Sequence, residues 1–294
     1  MDEQTRLTLG ELRRRVGDVS QLASTRAARL TDGSEDGVRI IDARVSGGLS
    51  AVILADRGLD LGDVWAAGHQ VGWRSTTGVV HPAYSSEHDW LRSFHGGLLT
   101  TCGLQNVGLP SEDEGTSHGL HGRISNIPAR NVVHRVVEEH GRLVAEVSGE
   151  MRETDVFGSD LLLRRRIRLP TGETVVHVED EVVNQGFAPV PLLILYHVNV
   201  GYPVVADGAR LLGPAAEVVG RDEAAQAVVG TAIGLVGALA LGRLLRGWLW
   251  QVSPADPWSL AGAVAALFAV AAAAAWLPAR RAARLDPATV FRES

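Results

Sequence analysis

From Ala224 to Gly242 this chain carries no charged residue, and from Pro257 to Pro278 it again carries none. A bilayer hydrocarbon core of about 30 Å is crossed by about 20 predominantly apolar helical residues, and both runs reach that length. The residues before them belong to a different solvent. All ten histidines precede Ala224. Residues 1–223 hold 22 Arg against 31 Asp and Glu, a net of −9, whereas residues 224–294 hold 6 Arg against 3 acids, a net of +3. The sequence therefore predicts two domains, 1–223 and 224–294, with the second as two transmembrane helices.

The acidic balance of the first domain excludes nucleic acid as a partner, because neutralising phosphates needs a basic face. Every basic residue of the chain is arginine. Without lysine there is no Schiff-base chemistry and no Walker-type phosphate loop. Cys102 stands alone, so no intramolecular disulfide forms. The charged N-terminal stretch MDEQTRLTLGELRRRVGD has no apolar core of the secretory-signal kind.

Helical spacing marks Leu9–Val16 as a short surface helix, after which the pattern turns to period two. Val38–Val45 and Leu49–Leu54 read as strands joined at Gly47–Gly48. Val132–Glu138 and Leu143–Ser148 repeat the device around His140–Gly141, and Leu161–Leu169 with Glu173–Val183 makes a third hairpin. Val190–Val198 is continuously apolar, which predicts a strand buried on both faces. Such spacing predicts a mainly β fold, a sandwich or barrel. Between Trp73 and Asn126 the pattern weakens; five of the ten histidines and several glycine-rich pieces lie there, and a site is expected on these loops.

His118 and His121, in Ser117-His118-Gly119-Leu120-His121-Gly122-Arg123, are the sharpest local signal. An H-x-x-H pair binds a metal on a helix, but Gly119 and Gly122 oppose a helix and no third ligand is evident. Two readings remain: loop histidines tied to backbone carbonyls, or imidazoles that donate to sugar oxygens and act as general acid or base. No metal and no cofactor is expected.

Four pieces in order resemble the aldose 1-epimerase (galactose mutarotase) superfamily, in particular its DUF4432 branch. They are Asp56-Arg57-Gly58-Leu59-Asp60-Leu61-Gly62, Gly97-Leu98-Leu99-Thr100-Thr101-Cys102-Gly103-Leu104-Gln105-Asn106, the His118–Arg123 loop, and Leu195-Tyr196-His197-Val198-Asn199 followed by Gly201-Tyr202-Pro203. The resemblance covers about residues 20–220. It implies a galactose mutarotase-like β-supersandwich with a cleft for a sugar ligand. By the same resemblance, His121 and His197 are the catalytic pair, with His197 the general acid. Arg57, Asp60, Asn106, His118, Arg123 and Asn199 are implied as substrate-binding neighbours. A ligand held from both sides requires the two rings within about 5–8 Å.

The family's base, a glutamate, lies far downstream of its strand-end histidine, and no residue of 224–294 matches it. The supersandwich is therefore expected to be incomplete, with exposed strand edges and weak or absent mutarotation. The tail, in turn, resembles the C-terminal end of MacB/FtsX-like ABC transporter permeases through Gly242-Arg243-Leu244-Leu245, Gln251-Val252-Ser253-Pro254-Ala255-Asp256-Pro257 and the segment from Leu277 to Pro287. That resemblance implies a membrane hairpin through residues 224–278 and an ABC ATPase or permease as partner. Arg280, Arg281 and Arg284 place the C-terminus, and with it the N-terminal domain, on the cytoplasmic side of the inner membrane. Two other readings stand beside an aldose 1-epimerase-like enzyme: a membrane component of an ABC-type export system, and a gene fusion with neither activity intact.

Overall fold

A computed structural model of the chain describes residues 8–85, 90–113 and 115–210. The strands that carry the architecture are β1 (Ala23–Arg29), β2 (Arg39–Val45), β3 (Leu49–Leu54), β4 (Asp60–Ala66), β5 (Leu99–Leu104), β6 (Arg130–Glu139), β7 (Arg142–Thr154), β8 (Asp160–Pro170), β9 (His177–Asn184) and β10 (Leu193–Val198). One antiparallel sheet runs β1-β2-β3-β4-β5-β10, with the short strand His69–Gln70 added to β4; a second runs β6-β7-β8-β9. The mainly β expectation holds. The three hairpins form where the turn signals placed them, although β9 begins at His177 rather than at residue 173. The helix α1 (Leu9–Arg13) is present and is capped by Thr8 and Glu11 in a reciprocal box.

Sequence alternation explains how the two sheets face each other. Along β8, Leu161, Leu163, Ile167 and Leu169 point inward with Arg165, while Arg164, Arg166 and Arg168 point outward. The inward set meets Ile41, Ala43, Ile53 and Leu61 of the larger sheet and Val147 and Met151 of β7 in one core. Burying each large aliphatic side chain contributes about 1.5–3 kcal/mol. The outward arginines pair with Glu150, Glu181, Glu146, Glu179 and Glu139, a solvated ion-pair face in which each exposed pair is worth about 0–1 kcal/mol.

Two expectations about strands need correction. The stretch from Trp73 to Asn126 is not all loop: β5 runs through it, with every residue from Leu99 to Leu104 buried. A strand covered on both faces shows no alternation, and its Thr-Thr-Cys-Gly centre disguised it. Val190–Val198 departs in the opposite sense. Its strand, β10, pairs with β5 on one edge and ends the sheet among the described residues. Leu193, Leu195, Tyr196 and Val198 are all exposed there, Val198 by 60%. An apolar strand is buried only where neighbours cover it, and the described residues supply one neighbour.

Residues 211–294 lie outside the described set, and with them the whole domain expected at 224–294, both uncharged runs and the hairpin. Among the described residues no helix is long and apolar enough to cross a membrane.

Candidate functional site

Helix α2 (Trp90–Ser93) is a single turn, and a spacing of four puts Trp90 and Phe94 on one side of it. Their rings stack with centroids 4.4 Å apart at 19°. Trp73 joins Phe94 at 6.0 Å, held nearby because Trp73–Arg74 pairs with Gly96–Gly97. Against this aromatic wall stand the two histidines singled out in the sequence. His121 lies 4.7 Å from Trp90 and His197 lies 5.3 Å from Phe94, while the two imidazole centroids are 5.8 Å apart at 85°. The loop and strand-end histidines therefore stand side by side, at the ring separation expected.

The loop that carries His121 has little freedom. Gly122 sits at φ +70, and a Cβ there would come within 2.4 Å of the Gly103 carbonyl; only glycine lets the loop approach β5 so closely. His121 itself has φ 61, a left-handed conformation that costs a non-glycine residue about 1–2 kcal/mol. Hydrogen bonds offset this. The His121 N–H donates to Gly108 O, its carbonyl accepts from Gly103 N–H, and its Nδ1 accepts from Gly108 N–H at 3.2 Å. A neutral imidazole whose Nδ1 accepts carries its proton on Nε2. The Nδ1 of His197 is buried and has no hydrogen-bond partner among the described residues.

The implied substrate-binding residues divide into two groups. Asn106 donates from Nδ2 to Gly119 O at 2.6 Å, which fixes the histidine loop. Asn199 donates to His197 O at 3.0 Å, steadying the end of β10. Arg123 follows His121 and pairs with Asp155 at 3.2 Å, and His118 lies half-buried on the short strand Thr116–His118. Asn106 and Asn199 thus brace the backbone that carries the histidine pair. Arg57 and Asp60 require correction, because both are sealed in the interior.

Arg57 spends its guanidinium on the carbonyls of Ser125, Val80 and Ser93, tying together three loops that build the site. Burial lowers its pKa to about 10, against the opposing pull of Asp60. Asp60 accepts from Thr101 N–H at 2.9 Å, from Thr101 Oγ1 at 2.6 Å and from Arg165 at 2.6 Å. Full burial raises the pKa of its carboxyl, while Arg165 and Thr101 pull the other way. The resemblance implied both residues in the cleft; the backbone turns them inward instead.

The sequence reading missed Trp90 and Phe94, whose spacing of four was the available signal, and it missed His95. His95 is 2% exposed, and burial first, then the nearby Arg57 charge, lowers its pKa to about 3. No group of three or more His, Cys, Asp or Glu among the described residues is arranged to hold a metal.

The fold has solved counterparts. A putative aldose 1-epimerase from Klebsiella pneumoniae is 25% identical over 68% of this chain and 52% of its own, with a TM-score of 0.59. A galactose 1-epimerase from Lactobacillus acidophilus is 18% identical over 55% of this chain and 49% of its own, with a TM-score of 0.37. A galactose mutarotase-like protein from Clostridium acetobutylicum is 14% identical over 64% of this chain and 56% of its own, with a TM-score of 0.44. The chain thus spans about half the length of the solved proteins it resembles. No curated protein matches it. The fold of the described residues is aldose 1-epimerase-like, as the Klebsiella structure shows. A family model described as "Domain of unknown function (DUF4432)" matches residues 35–233, more than half of the chain, and the chain belongs to that family.

Proposed function

We propose that this chain binds an aldose at the histidine pair, which the aromatic wall backs, in a site of the aldose 1-epimerase type. The observation that carries the reading is the 5.8 Å separation of the His121 and His197 rings beside Trp90 and Phe94. A pyranose has C–H faces that pack on aromatic rings and hydroxyls that answer imidazole donors. His121 offers Nε2–H to a sugar oxygen. His197 serves as the acid that protonates the ring oxygen.

Mutarotation needs two proton movements: one onto the ring oxygen as its bond to C1 breaks, one off the C1 hydroxyl as the aldehyde forms. Rotation about C1 and the reverse transfers close the other anomer. The second movement needs a base in hydrogen-bond reach, a contribution of about 10²–10⁴ in rate. In its neutral form His121, whose Nδ1 already accepts from Gly108 N–H, has an N–H rather than a bare nitrogen left to offer. Of the carboxylates that end β7, Glu153 accepts from Leu104 N–H, and Asp155 accepts from Gln105 and Arg123. With His197 as the acid and no base assigned, the reading is of a sugar binder with slow interconversion.

Polarimetry on freshly dissolved α-galactose and α-glucose should give a rate close to the spontaneous one. Galactose should nevertheless perturb tryptophan fluorescence through Trp90. His197→Ala, which removes one hydrogen bond of about 0.5–1.5 kcal/mol, should weaken that binding about 2- to 10-fold. No response to either sugar would overturn the binding reading. A rate well above spontaneous that His197→Ala abolishes would show that a base is supplied.

For the tail, the two uncharged runs favour membrane attachment through residues 224–278, with the permease-type hairpin and cytoplasmic orientation implied by its sequence. The protein should then sediment with membranes and resist a high-salt wash. Recovery of the full chain in the supernatant would reject this.

A further inference from the structure

The two sheets meet along one side at their edge strands, β1 and β6, each of which pairs with a single neighbour among the described residues. Thr25 Oγ1 of β1 and His134 Nδ1 of β6 stand 3.1 Å apart. Beyond that contact the edges part. The next core-facing residue of β1 is only an alanine, Ala27, and β6 carries an irregularity between Arg130 and Val133 of the kind that bends a strand. A cleft of about 390 Å³ opens there, with Ala27, Ile41, Ala55 and Val132 among its lining residues.

Two arginines line the same cleft. The alternation that buries Val45, Ala43 and Ile41 of β2 carries Arg39 to the same side, and Arg29 of β1 lies directly opposite it in the register. Like charges facing each other across two strands are destabilising. Asp56 answers Arg39, accepting from its Nε at 2.8 Å and its Nη2 at 2.6 Å, while the Ala129 carbonyl also accepts from Nη2. Its Nη1 takes no part in these bonds. Arg29 is answered only by a neutral group, the Gly37 carbonyl, at 3.2 Å from its Nη1. Both side chains reach solvent, Arg39 with 38% of its surface, and no acid lines the cleft.

We propose that this cleft binds a small monocarboxylate with an apolar body, the carboxylate held between Arg29 and Arg39 and the body laid on Ala27, Ile41, Ala55 and Val132. One positive charge of the pair is already neutralised by Asp56, so a single negative charge completes the set. A carboxylate matches the planar fork of a guanidinium and accepts charge-assisted hydrogen bonds from it. The aliphatic lining favours an organic acid over a hydrated inorganic anion. The volume lies within the range of about 300–1,000 Å³ for small-molecule sites. None of these residues belongs to the histidine site, so the proposal goes beyond the aldose reading and does not depend on it.

Equilibrium dialysis of the full chain against labelled benzoate tests this, with benzamide as the uncharged molecule of similar shape. Benzoate should bind with one equivalent per chain, more weakly as salt rises. Benzamide should bind at least about 10-fold more weakly, and Arg29→Gln should weaken benzoate by about the same factor. Ala27→Leu, which fills the apolar lining, should remove binding. Arg166→Gln, on the outward face of β8, should change nothing. The urea midpoint of Arg29→Gln should not fall, because the change removes one of two facing charges; this separates lost binding from lost fold. Benzoate bound equally well by Arg29→Gln, equal binding of benzamide, or no binding of benzoate would each overturn the proposal. None of these results bears on galactose binding at His197.

Discussion

Replacing Arg165 by alanine should destabilise the β domain by about 3–5 kcal/mol, because it strands two acids in the interior. The Arg165 side chain has no exposed surface and bridges the sheets. Its Nη1 reaches Asp60 at 2.6 Å; its Nη2 reaches Asp180 at 2.7 Å and Thr101 Oγ1 at 2.7 Å. Tyr196 extends the network from β10, donating its hydroxyl to Asp180 at 2.9 Å. Burial, then the bond to Asp180, raises the Tyr196 pKa to about 12, so the donor keeps its proton. Urea unfolding measures the loss. Arg166→Ala is the control: its guanidinium is 54% exposed and lies 3.9 Å and 3.8 Å from Glu146 and Glu179, so the change should be within about 1 kcal/mol. Arg165→Lys should recover only part of the loss, since a point charge cannot serve three acceptors in a fork. A loss below about 1 kcal/mol for Arg165→Ala would mean that the carboxylates find water or neutralise at little cost.

That network also shows where sequence reading reaches its limit. The run Leu161-Leu162-Leu163-Arg164-Arg165-Arg166 announces a strand, and period two places Arg165 on the apolar side. An inward arginine is unexpected from alternation alone; its partners Asp60 and Asp180 lie 105 and 15 residues away. Asp60 could be recognised as part of a motif, but its motif does not tell whether a carboxylate faces a ligand or a buried guanidinium. Arg57 was misplaced for the same reason, since three backbone carbonyls leave no signature in the sequence that folds around it.

Hairpins were legible because they are local. Gly47–Gly48 and His140–Gly141 sit between alternating segments, so turn and register follow from neighbouring residues. β5 was not legible, since its pattern reflects cover from both sides rather than its own alternation. The pairing of His121 with His197 was legible only through resemblance: 76 residues separate them, and their approach depends on β10 lying beside β5. Trp90 and Phe94 carried a local signal, the spacing of one helical turn, within a stretch whose glycines pointed to loop.

Acid should unfold this protein through His95 more than through any exposed histidine. The ring's pKa falls from 6.5 to about 3, chiefly because burial disfavours the imidazolium. In the unfolded chain the same ring titrates near its ordinary value. Above about pH 6.5 both states are neutral and His95 contributes nothing pH-dependent; as pH falls below it, the unfolded state takes a proton that the folded state refuses. Stability is thus lost progressively between pH 6.5 and 3, at a limiting slope of about 1.4 kcal/mol per pH unit for one proton. Between pH 6.5 and 5 the loss attributable to this residue is about 2 kcal/mol. Urea midpoints measured at pH 7.5, 6 and 5 for the full chain and for His95→Phe isolate it, since the remaining histidines are common to both. The variant's stability should fall less steeply, by about one proton's worth at pH 5, and the two curves should converge in slope above pH 7. Parallel curves across the whole range would show that the His95 ring finds a way to charge within the fold.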